Sequence, residues 1–151
     1  MPMTRRTARE IAMHLSFATV MNRTDIGEML DTFFEPAYFA TLQPEDEAYA
    51  EYPDEKQLDY IRRLAKGVSA HAAELDGYIA KYAKNWEFSR ISRLASAILR
   101  TAMYEILYLP EVPYKVAANE AVELAKTYEG RDIAGFVNGI LSAFIENEYH
   151  E

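Results

Sequence analysis

The sequence predicts an all-α fold, a helical bundle of about seven helices in two packed groups. Two observations carry that prediction. Apolar residues recur at spacings of three and four through most of the 151 residues, and proline and glycine punctuate the boundaries between those runs. No segment alternates apolar and polar residues as a half-buried strand would. Half of the chain is apolar, which suits one ordinary domain with a core of its own.

The first helix is expected over residues 4–21. Ala8, Ile11, Ala12 and Leu15 form its apolar stripe, and Thr4 is a plausible N-cap. Three arginines, Arg5, Arg6 and Arg9, crowd its start, although the formal net charge of the chain is −8. A helix N-terminus carries partial positive charge and favours acids by about 0.3–1 kcal/mol each, so local helix stability does not explain the arginines. A solvated helix start and a docking surface for an anion remain as the two readings.

Asp25 or Thr24 caps a second helical stretch through Ile26, Met29, Leu30 and Phe33, which Pro36 breaks or restarts. Residues 42–54, with Pro44, Pro53 and several acids, read as an exposed loop. Residues 24–55 as a whole hold ten acids and neither Lys nor Arg, which leaves the rest of the chain weakly positive. Total charge therefore says little about whether another face binds an anion. Helical spacing returns over 55–68 through Leu58, Ile61, Leu64 and Ala65. It returns again over 73–86, where Gly77 costs about 1 kcal/mol against alanine.

Residues 89–109 give the clearest helix. Ile91, Leu94, Ala95, Ile98, Leu99, Ala102, Ile106 and Leu109 make a stripe too broad for a surface helix, with Arg90, Arg93 and Arg100 off it. Pro110 and Pro113 stop it, and Pro113 suits the first position of the next helix, which packs through Ala117, Ala121, Leu124 and Tyr128 until Gly130. Asp132 starts a last helix with Ile133, Phe136, Val137, Ile140, Leu141 and Phe144. The two groups are expected to meet near Asn85, at about 1–84 and 85–151.

Other function classes find little support. No run reaches the roughly 20 apolar residues of a membrane span, and no signal peptide opens the chain. The absence of cysteine removes disulfides, thiolate zinc sites and thiol nucleophiles, and fits a cytoplasmic location. His14, His71 and His150 form no zinc-ligand motif, and the six glycines form no phosphate loop. Glu120 and Glu123 read as a solvated helix face beside Lys115 and Lys126, and most of the eleven tyrosines as packing residues. No catalytic residues, metal site or cofactor are expected.

The stretch "ILRTAMYEILYLPEVPYKVAANEAVELAKTY", the later "FVNGIL" and the opening "RRTARE" resemble the NusB family of bacterial transcription antitermination factors. The likeness covers the first helix and nearly everything over 75–141, and is weak over 21–55. It implies an all-helical, non-enzymatic protein that binds single-stranded boxA RNA of ribosomal RNA operons together with NusE, a small-subunit ribosomal protein, within an RNA polymerase antitermination complex. It also implies RNA contacts at Arg5, Arg6 and Arg9, with Thr7 standing where an arginine is often found, and at Phe17, Tyr128, Asp132 and Phe136. Aromatic faces stack unpaired bases and a carboxylate accepts from base amino groups. Phe136 suits the core equally well, and Asp132 suits an N-cap. Ala95 and Ser96 replace the polar residues expected to meet NusE, so those contacts do not transfer. A related module is fused to RNA cytosine methyltransferases, and these 151 residues are not expected to hold a methyl-donor-binding domain as well. The contrasting expectation is a helical interaction module that homodimerises with weak or no RNA binding. The acidic stretch is expected to lie away from the RNA face.

Overall fold

The computed structural model describes residues 2–83 and 91–150. Among them are eight α-helices, one short 3₁₀ helix and no strand. The helices are α1 (Arg5–Asn22), α2 (Ile26–Phe33), α3 (Pro36–Ala40), α4 (Glu55–Ala70), α5 (Ala72–Tyr82), α6 (Arg93–Tyr108), α7 (Tyr114–Glu129) and α8 (Arg131–Glu148). The eighth helix, against the expected seven, arises because Pro36 restarts the chain. It occupies the first turn of α3, while the Glu35 carboxylate accepts from the amides of Ala37 and Tyr38 at 3.3 and 2.9 Å.

The chain divides into two compact units, Met1–Ser69 and Ala70–Glu151. This boundary lies well before the expected position near Asn85, which is itself outside the described residues. The reason is α5, which buries Leu75 and Ile79 and packs on α6 and α8. The Tyr82 hydroxyl donates to the Glu148 carboxylate, and Lys81 lies 2.9 Å from the same group, so the end of α5 is tied to the end of α8. Of the expected run over 73–86, the last three residues are outside the described residues, as are Ser89 and Arg90.

In the first unit Thr4 caps α1 by accepting from the Thr7 amide at 3.1 Å, and Arg23 in the left-handed region (φ 54°) ends it. Ala8, Ile11, Ala12 and Leu15 are buried, as are Tyr60, Ile61, Leu64 and Ala65 of α4. Residues 42–54 are not simply an exposed loop. Asp46 caps the 3₁₀ helix Glu47–Tyr49, and Ala48 and Pro53 are buried. Phe33, Phe34, Phe39, Tyr49 and Tyr52 form an aromatic cluster with ring centroids 4.9–6.2 Å apart between touching members. Apart from the half-buried Asp46, the acids of this stretch are exposed, while its aromatic residues build a small core of their own.

In the second unit α6 packs against α5, α7 and α8. Its N-cap is Ser92, and Ile91, Ala95, Ile98, Leu99, Ala102, Ile106 and Leu109 are all buried. Leu94 is only half-buried. Arg100, expected off the stripe, is buried and donates from Nε to Asp76 Oδ1 at 2.6 Å, so its charge is matched inside the α5–α6 contact. Pro113 sits one residue earlier than expected, as the N-cap of α7, and its carbonyl accepts from Val116 and Ala117 at 2.9 and 3.1 Å. Gly130 has φ 98°, a conformation that L side chains rarely adopt, and it links α7 directly to α8.

Candidate nucleic-acid interface

The arginines at the start of α1 occupy three different environments. Arg6 is exposed, Arg5 is half-buried and Arg9 is only 4% exposed. The buried Tyr60 of α4 separates them. The guanidinium carbon of Arg5 lies 3.8 Å from the Tyr60 ring centroid, and Arg5 Nε donates to Gln57 Oε1 at 2.9 Å. Arg9 lies 6.0 Å from the same centroid and donates to the Tyr60 hydroxyl at 3.4 Å. Of the two readings of this cationic start, a solvated helix start does not describe Arg5 and Arg9. Two of the three charges are positioned by α4, and Arg6 is the exposed one of the three. Their spacing explains the division: Arg5 and Arg9, one turn apart, share the face that meets α4.

α1 has no acid in its first turn, so no carboxylate of that turn offsets the positive end of the helix dipole beside these guanidinium groups. Acidic residues nevertheless lie close by. A cleft of about 110 Å3 is lined by Met3, Thr4 and Thr7 together with Glu47, Ala48 and Glu51. The acidic stretch therefore abuts the start of α1 instead of lying away from it. Its aromatic cluster holds it there: Tyr49 is hydrogen-bonded to His14 Nδ1 of α1 at 2.7 Å. Burial lowers the pKa of His14, against the opposing pull of Glu10 and Asp46. Phe17, further along α1, is half-buried.

In the second unit the expected contacts cluster about Gly130. Tyr128 is half-buried in the last turn of α7, Asp132 is exposed in the first turn of α8, and Phe136 is half-buried one turn later. Asp132 is not the N-cap. Gly130 holds that position, and α8 has no side-chain cap bond. The carboxylate of Asp132 stands at the positive end of α8, where it complements the helix dipole while its oxygens remain accessible. Phe136 follows at i+4, on the same face. It lies between the two readings of the sequence, with part of its ring in the core and part at the surface. Ser92 donates to the Glu129 carboxylate, fixing the end of α7 to the start of α6.

Chemically, the first unit offers guanidinium groups and the second an aromatic pair with a carboxylate. Sequence reasoning missed Tyr60 and Gln57, the residues that position the arginines. The one available signal was an aromatic residue on the α4 stripe beside Ile61 and Leu64.

Comparison with known proteins agrees with this fold. The NusB family model matches residues 6–146. A transcription antitermination protein NusB from Clostridium botulinum (strain Loch Maree / Type A3) is 38% identical over 145 residues, covering 95% of this chain and 100% of the relative. One from Acetivibrio thermocellus is 38% identical over 144 residues, covering 95% and 90%. The solved structure of T. maritima NusB superposes with a TM-score of 0.76 at 27% identity, covering 99% of this chain and 96% of that one. The chain belongs to the NusB family, and the relatives it matches are transcription antitermination proteins.

Proposed function

We propose that this antitermination factor binds single-stranded boxA-type RNA of ribosomal RNA operons together with NusE, and that it acts by assembling an RNA polymerase antitermination complex in the cytoplasm, without catalysis. The observation that carries the reading is the arginine cluster at the start of α1. Its charges oppose the local helix dipole, yet the chain holds two of them in place with Tyr60 and Gln57 and exposes the third. Positioned guanidinium groups beside a helix start with no acid in its first turn suit phosphates, and phosphate contacts fix register. Tyr128 and Phe136 offer partly exposed rings for base stacking, and Asp132 offers acceptors for base amino groups. Phe17, on α1, offers a further half-covered ring.

The test is a salt titration of boxA RNA binding with NusE present. Arg6→Ala is expected to lower the slope of log affinity against log salt by about 0.7, one phosphate contact to a single strand. Tyr128→Ala is expected to weaken binding by about 1–3 kcal/mol with the slope unchanged. An unchanged slope for Arg6→Ala, with gel filtration giving a homodimer that excludes NusE, favours the interaction-module reading instead.

A further inference from the structure

We propose that Glu10, His14 and Asp46 form a binding site for one divalent transition cation of the Mn2+ or Zn2+ type, which ties the acidic stretch to α1. This site is independent of the RNA-binding reading. One donor atom from each of the three residues lies within 4.8 Å of the other two, and all three residues are half-buried. Glu10 and His14 are four apart on α1 and therefore share a face. Asp46 arrives from the other side of the contact, immediately before the 3₁₀ helix.

The imidazole is oriented for this use. His14 Nε2 faces Glu10 Oε2 at 3.8 Å, too long for a hydrogen bond, while Nδ1 lies 2.7 Å from the Tyr49 hydroxyl. With Nε2 as ligand, Nδ1–H donates to the tyrosine oxygen, the outer partner that fixes ring orientation in histidine metal sites. Tyr49 is itself held by Phe33 and Phe39, with centroids at 5.5 and 6.0 Å. Ligands about 2.0–2.2 Å from one cation stand about 3 Å apart, so the site closes by roughly an ångström or two, within reach of the Glu10 side-chain torsions. The donor set decides the class of ion. Two carboxylates supply charge, and the imidazole favours first-row transition cations over Mg2+ and Ca2+. Three protein ligands leave the remaining positions to water.

The experiment titrates the full chain with Mn2+, following heat of binding and paramagnetic broadening in its NMR spectrum. One equivalent is expected to bind, with broadening centred on His14, Ala48 and Tyr49. Glu10→Gln and Asp46→Asn are expected to weaken binding by about tenfold or more. Asp46→Asn retains an acceptor for the Ala48 amide that Asp46 now caps at 2.9 Å, so the 3₁₀ helix is kept. His71→Ala, which removes the separate His71–Glu74 pair, is expected to leave affinity unchanged. Broadening spread evenly over the acids of residues 24–55, or an affinity that is equal in wild type, Glu10→Gln and Asp46→Asn, overturns the proposal.

Discussion

The Arg5 guanidinium lies over the Tyr60 ring at 3.8 Å, and Arg9 donates to the hydroxyl of that same tyrosine. One buried aromatic residue of α4 thus positions two cations of α1. This makes the start of α1 part of the packing of the first unit as well as a charged surface. Stacking and hydrogen bonding to a buried partner are worth more than the same charges in open water.

Arg9→Ala is therefore expected to destabilise the protein by about 1–3 kcal/mol, through loss of its buried contacts and of its hydrogen bond to Tyr60. Arg6→Ala is expected to stay within about 0.5 kcal/mol of wild type. Urea unfolding of the two variants checks this. Equal stabilities contradict the positioning role of Tyr60.

Ile98 is 1% exposed at the centre of α6. Ile98→Ala is expected to cost about 2–5 kcal/mol by leaving a cavity between α6 and its neighbours. Denaturant unfolding measures it, and a loss below about 1 kcal/mol removes α6 from the core of the second unit.

The legibility of the sequence followed the physics of each element. The α6 stripe was readable because Ile91, Ala95, Ile98, Leu99 and Ala102 repeat the helical period without interruption. The acids of residues 24–55 dominate the composition of that stretch and mask its core, because Phe34, Phe39 and Tyr49 act through contacts that no local period encodes. The same limit hid the arginine environment. The spacing of Arg5 and Arg9 put them on one face, but that this face meets Tyr60 depends on a partner more than 50 positions away. Arg100 was placed off its stripe because a charge suggests solvent, and Asp76 on α5 reverses that inference. Asp132 and the nearby helix end are both legible locally, whereas the cap of α8 is Gly130, with its φ of 98°.

Glu74 provides a pH-dependent test in the second unit. The Tyr108 hydroxyl donates to Glu74 Oε1 at 2.7 Å, and this bond, with smaller help from His71 and Tyr78, holds the Glu74 carboxyl below the usual glutamate range. The same contact pushes the Tyr108 phenol up to about 12. A lowered carboxylate pKa gives stability that is present above the unfolded value near 4.5 and is lost as pH falls through the folded one. In Tyr108→Phe the Glu74 titration is expected to move up and this acid-dependent part of stability to shrink. Carboxyl 13C titration of both proteins measures the shift, and coincident curves contradict the hydrogen bond.

The cleft shared by the start of α1 and the 3₁₀ segment changes what the acidic stretch is expected to do. Glu47 and Glu51 line it with Thr4 and Thr7, within the range over which exposed charges still act on the arginine-bearing turn. A stretch remote from that turn would affect only nonspecific RNA binding. Carboxylates this close lower the local potential for every phosphate that approaches, whichever bases follow it. Glu47→Gln with Glu51→Gln is therefore expected to tighten binding to boxA RNA and to an unrelated single strand by similar factors, more at low salt than at high salt. Both substitutions leave the Asp46 cap and the buried Ala48 intact, so the fold is retained. Parallel binding isotherms for the two RNAs at two ionic strengths decide the matter: tightening confined to the unrelated RNA returns the acidic stretch to a purely peripheral role, and no change for either means that its charge does not reach α1.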